Sequence, residues 1–281
     1  MKNKRFITII NCMALFIIAV NLTAPPHELT HLLTQMAAGY SPVNLSFGAA
    51  LTEGTAYVNT ESVFWKIMME GSAALFNILV GTVLLVLLKK FRFTDTWRVL
   101  LLQLTLLHLC MGFGYFLRDS ISYSPNNGMG DWSKVLDRFN GSTVLRITIL
   151  IVGTLGYLLT FYVAYKEAFH FIRDNNDKTE RREVTSALYL YPYLMNAVVF
   201  TLINLLSPMG WLNALIIGGV MNIFGFIVFF WGYMFVSHMV KPLKDSIYYF
   251  SLPSEKLTGI WICAVALLLI DIFILCPGIA F

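Results

Sequence analysis

Charge is what this sequence has least of. Only 13% of its 281 residues are Asp, Glu, Lys or Arg, where an ordinary soluble domain carries roughly a quarter. So few charges cannot cover a water-facing globule, which excludes a soluble fold. A basic tract is also missing. The net charge of +4 is dispersed between apolar blocks, which argues for membrane orientation and against nucleic-acid binding. The four cysteines (Cys12, Cys110, Cys263, Cys276) form no C-x-x-C pair and all fall inside apolar blocks. They read as buried, inert thiols, not as a disulfide framework or a thiolate zinc knuckle. No stretch suits a soluble domain; the longest polar one, Lys166 to Val184, reads as a solvated cytosolic loop.

What the chain has instead is hydrophobic residues, 57% of the total, with a mean hydropathy of +0.69. They come in blocks of about 20, the length that crosses the hydrocarbon core as a helix. The expected fold is an all-α polytopic membrane protein embedded in a lipid bilayer. Seven spans are expected, near 6–24 (continuing as helix to about 38), 64–88, 98–117, 144–165, 187–206, 212–236 and 258–276. The N-terminus also has the form of a signal peptide. Cleavage after Ala24 would cut directly beside the best motif in the chain, so the segment is read as an uncleaved first span. With these spans, fifteen Lys and Arg fall on one side and five on the other. The positive-inside rule then places the N-terminus in the cytosol and the C-terminus outside.

Between the first two spans, Val43 to Asn59 has no basic residue and places Val43, Leu45 and Phe47 in period-two alternation. Gly54 sits where a turn would precede Ala56-Tyr57-Val58. A short hairpin over 43–58 and an ordinary extracytosolic loop suit this stretch equally.

The chemistry is concentrated in His27-Glu28-Leu29-Thr30-His31. Helix positions i and i+4 share one face, so both imidazoles can reach one ion. Glu28 falls near the same side, where it can take a proton from water at the metal instead of ligating. Pro25 and Pro26 suit the first turn of a helix. Chance would give roughly 0.0025 such matches in a chain of this composition, and ionisable groups at membrane depth are costly and usually functional. A catalytic zinc site needs a third protein ligand. Asp131, in a Gly/Asn/Pro-rich loop on the expected outer side, is first by position, and His108, mid-span, is second. His170 and His238 fall on the wrong side, Asp271 stands alone in the last span, and Asp119 has Arg118 as its expected ion-pair partner.

Three segments resemble the site-2 protease-type intramembrane zinc metalloproteases. His27–His31 running into Leu32-Leu33-Thr34-Gln35-Met36-Ala37-Ala38-Gly39 is similar to the family's HExGH helix. Glu70-Gly71-Ser72-Ala73-Ala74-Leu75-Phe76-Asn77 resembles its Gly-Pro-x-x-Asn span, and Asn127-Gly128-Met129-Gly130-Asp131-Trp132 its aspartate segment. The chain departs from that pattern in four ways: Thr30 for Gly, Ser72 for Pro, Trp132 for Gly, and no PDZ-like insert. The resemblance covers roughly residues 20–140. It implies a metalloprotease-like core over 1–142 (three spans, the hairpin and the aspartate loop), with four further spans over 143–281 in the same membrane domain. It further implies zinc held by His27, His31 and Asp131, Glu28 as proton carrier, and the hairpin as an edge that holds a membrane-protein or membrane-anchored peptide substrate. Asn77 would contact that strand or the oxyanion, unless it serves as an interhelical contact in the stripe of Gly71, Ser72, Ala73 and Ala74. Other readings of the same residues are a metallohydrolase acting on lipid or a prenylated peptide, and a transporter or inactive scaffold.

Overall fold

The computed structural model describes residues 2–126, 130–206, 221–239 and 249–281, with isolated positions at 212, 215 and 219. The chain is an all-α polytopic membrane protein with one small sheet. Helix α1 (Lys2–Asn21) breaks at Leu22–Thr23 and continues as α2 (Ala24–Ala38). Strands β1 (Ser41–Ser46) and β2 (Ala49–Glu53) follow. Then come α3 (Val63–Lys90), α4 (Asp95–Ser122), the short α5 (Asp131–Arg138) and α6 (Thr143–Ala168). The last helices are α7 (Lys178–Asn204), α8 (Ile227–His238) and α9 (Thr258–Leu275), and the chain closes with strand β3 (Ile279–Ala280).

Among the described residues, six helices are long and apolar enough to cross a membrane, the first comprising α1 and α2 together, and α8 is a shorter apolar helix. The expected span over 212–236 lies in part outside the described residues. The loop expected over 166–184 is much shorter in the structure. Helix α6 runs to Ala168, and α7 already begins at Lys178, where Asp177 accepts from the Thr179 N–H at 2.7 Å. Asp at an N-cap satisfies a free helix donor, so residues read as solvated belong to a helix end. Glu167 is buried there against Arg98 at 2.6 Å.

Helix α4 is the centre of the bundle, with α3 on one side and α6 on the other. Its most apolar window is 78% buried, against 11% for α9. Lipid is as apolar as leucine, so helices associate in membranes through close packing and polar contacts. Glycine provides the closeness. A Cβ on Gly112 would lie 2.9 Å from the Ile78 N of α3, and one on Gly153 would press on the Leu117 backbone of α4. Because protein surrounds α4, it can carry Arg98, Gln103, His108 and Asp119 inside the bundle. The exposed leucines, isoleucines and phenylalanines of α6, α7 and α9 form the face that a bilayer covers. Cys263 is on that exposed face, in contrast to the buried position expected of it; all four thiols are free.

The hairpin exists, with a different turn. Ser46 pairs with Ala49, so Phe47-Gly48 is the turn, and Gly54 (φ 96°) ends β2. Ala56-Tyr57-Val58 is not a strand. β1 is central in the order β2-β1-β3, which among the described residues leaves β2 with one free edge.

Candidate metal centre

The site begins at the break in the first span. Pro25 and Pro26 occupy the opening positions of α2, where an absent N–H removes no helical bond within α2. The 15-residue helix stops in a Schellman motif: Gly39, at φ 108°, donates to the Met36 carbonyl and Tyr40 donates to the Gln35 carbonyl. Between these ends His27 and His31 lie one turn apart on the buried face, with ring centroids 5.1 Å apart.

Asp131 arrives from α5. Its Oδ2 lies 3.3 Å from His27 Nε2 and 3.1 Å from His31 Nε2. All three atoms are buried and make no hydrogen bond outside the cluster. Three ligand atoms that converge in a buried site with no partner beyond one another suit a shared cation. Two imidazoles and a carboxylate are also the kind of three-ligand set that a catalytic zinc site uses. The residues therefore fit a divalent metal. Burial would raise the Asp131 carboxyl, but the His31 and His27 imidazoles more than offset this and hold it well below the usual carboxylate range.

α5 is too short to hold its place alone. Asp119 of α4 accepts from the Trp132 N–H (2.9 Å) and the Ser133 N–H (3.4 Å), so a carboxylate from another helix caps α5. Arg118 clamps that carboxylate at 2.6 Å. A Cβ on Gly130 would collide with the whole Asp119 carboxyl group, which is why glycine stands beside the ligand. Trp132 packs edge-on to Phe116 (4.3 Å) and sits over Gly71. Arg138 and Lys134 both reach Glu70 on α3, at 2.7 and 3.8 Å. Trp132, at the position where the resembled family has glycine, anchors the helix that carries the aspartate.

Glu28 is within electrostatic reach of His27, His31, Asp131 and Lys134. The Tyr115 ring stacks on His27 (5.1 Å, 14° between planes), and the Arg118 guanidinium lies over the Tyr115 ring at 4.5 Å. One turn beyond His31, Gln35 accepts from Thr52 of β2 at 2.7 Å, tying the metal helix to the strand with the free edge.

The remaining two candidates are brought together elsewhere. Asn77 is fully buried; its amide bridges His27 Nδ1 (2.8 Å) and His108 Nδ1 (2.9 Å). It makes an interhelical contact that joins α2, α3 and α4. His108 stands outside the group of metal-competent residues, which comprises His27, His31 and Asp131 among the described residues.

No family model, curated protein or solved structure matches this chain. The functional reading therefore rests on the geometry and chemistry of these residues alone. Sequence reasoning overlooked the Asp119 cap and the stacked Tyr115. The pairing of Arg118 with Asp119 was legible, but the cap joins residues from two separate helices. Gly130 immediately before the Asp131-Trp132 pair was its one local signal.

Proposed function

We propose that this protein is an intramembrane zinc metalloprotease of the site-2 type, hydrolysing a peptide bond within or near a transmembrane segment of its substrate. The observation that carries this reading is the convergence of His27 Nε2, His31 Nε2 and Asp131 Oδ2, buried and with no partner beyond one another, beside Glu28. These three would hold the zinc, which when bound supplies Lewis acidity and lowers the pKa of a water. Glu28 takes the proton of the attacking water and returns it to the leaving amine, a role that contributes about 10²- to 10⁴-fold. The free edge of β2 offers backbone N–H and C=O groups to an unwound substrate segment. Asp119, Arg118 and Glu70 keep α5 and its aspartate in place.

The distribution of Lys and Arg supports a cytosolic N-terminus and an extracytosolic C-terminus. In that orientation the metal centre lies toward the outer face. His27 comes 21 residues after Phe6, about 32 Å along a helix at 1.5 Å per residue. The polar cluster of Arg118, Asp119, Lys134 and Arg138 around α5 suits that boundary.

The test is Glu28→Gln, purified beside wild type and assayed on a panel of bilayer-reconstituted single-span substrates. Both proteins should carry stoichiometric zinc and only the wild type should cleave. Cleavage undiminished in the variant refutes the role of Glu28. A metal-free wild type that conducts ions would favour the transporter instead.

A further inference from the structure

Away from the metal centre, the opening turns of α1 and α7 share a cavity of about 290 Å³. It is lined by Arg5 from α1, by Thr179, Arg182, Ser186 and Leu190 from α7, and by Tyr233 from α8. That volume lies at the lower limit of ordinary ligand pockets, so it suits a small polar group and not a whole lipid. Arg5 and Arg182 belong to the side that carries fifteen of the 20 Lys and Arg.

The charges around the cavity do not cancel. Glu183 is its acidic lining residue, and Arg5 already holds it at 2.9 Å. Glu180 is turned to the preceding loop, where it accepts from the Arg173 and Asp174 N–H groups at 3.0 and 2.9 Å. Arg182 is exposed and forms no ion pair with a described residue. Its guanidinium is therefore open to an anion, and a guanidinium fork matches the geometry of a phosphate. Thr179 and Ser186 lie about one helical turn to either side of it and bring two hydroxyls.

What lies beyond the cavity identifies the carrier of that anion. Past Leu190, at four-residue spacing, come Leu194, Val198 and Leu202, all exposed on a helix long and apolar enough to cross a bilayer. Two wider π turns, Ser186–Leu190 and Asn196–Phe200, slow the winding of α7, so this spacing stays near one side. The stripe thus passes from cation and hydroxyls to bare hydrocarbon, in the order of a phospholipid's headgroup and chains. A free phosphate ion would leave the apolar part unused.

We propose that this cavity binds the phosphate headgroup of an anionic phospholipid, with Arg182 as the principal contact and an acyl chain laid along Leu194, Val198 and Leu202. An anionic lipid brings net negative charge that a zwitterionic one lacks, so the uncompensated Arg182 discriminates between them. The site shares no residue with the metal centre, and its occupancy can be read whether or not zinc binds.

The experiment titrates purified full-length protein in detergent with phosphatidylglycerol or phosphatidylcholine of equal chain length and counts bound lipid by native mass spectrometry. Wild type should bind one phosphatidylglycerol about 10-fold more tightly than phosphatidylcholine, the effect of about one hydrogen bond to a charged group. Arg182→Gln should lose that preference and bind phosphatidylcholine as wild type does, which checks its fold. Lys89→Gln removes an exposed cation of the same side that does not line the cavity, and it should keep the preference. A wild type without the preference overturns the proposal, as does an Arg182→Gln protein that retains it. An equal loss in Lys89→Gln would mark general surface charge and overturn it too. Glycerol phosphate, a headgroup without chains, should not displace the bound lipid at matched concentration; displacement would reveal a site for free phosphate esters and overturn the lipid assignment.

Discussion

Gly130→Ala tests whether the aspartate is placed by the cap that precedes it. The added methyl would meet Oδ1, Oδ2 and Cγ of Asp119, an overlap of about 1 Å with the ordinary 3.4 Å limit of contact. Asp119 cannot retreat easily, because Arg118 grips it and it is 1% exposed. The strain therefore moves the start of α5, and with it Asp131, by an amount comparable to the overlap. Metal–donor distances tolerate only about 0.2 Å. Zinc affinity should fall about 10- to 100-fold, the usual effect of disturbing ligand support. Competition against a chromophoric chelator measures this in purified protein. The double variant Asp119→Ala/Gly130→Ala removes the collision and should be no worse than Asp119→Ala alone, a non-additivity expected of touching residues. Gly130→Ala binding zinc as tightly as wild type would refute the reasoning.

Three further outcomes are expected. Glu167→Ala leaves Arg98 buried without its 2.6 Å partner and should destabilise the bundle by about 3–5 kcal/mol, read by thermal unfolding in detergent. Gly39→Ala should cost about 1–3 kcal/mol, because the residue holds φ 108° beneath the Tyr57 ring; unfolding midpoints of the two proteins decide it. With Cys263 replaced by serine, a cysteine at the 78% exposed Tyr57 should react with an impermeant thiol reagent from outside intact cells. Labelling only after lysis would reverse the orientation.

Local patterns carried a large part of the architecture. Apolar blocks of bilayer length identify the spans, and the spacing of His27 and His31 places both rings on one face with no tertiary information. Asp131 was legible through a positional argument about the sides of the membrane. Contacts between distant helices were not legible. His108 and Asn77 are 31 residues apart on different spans, and nothing local to either says that they share a bond. His108 therefore read as a spare ligand, and Asn77 was left between a substrate contact and an interhelical one. The hairpin turn was misplaced for a local reason: Gly54 has the backbone of a turn residue but terminates β2, while Phe47-Gly48 makes the reversal. The start of α7 was overlooked because a charge-rich stretch hides its Asp177 cap.

The central claim is that His27, His31 and Asp131 hold one metal ion together. Metal analysis of purified wild type beside His27→Ala, His31→Ala and Asp131→Ala tests it without needing a substrate. Stoichiometric zinc is expected in the wild type, with its loss in each variant that remains folded. A wild type that will not bind zinc, or an Asp131→Ala protein that retains it fully, would contradict the account.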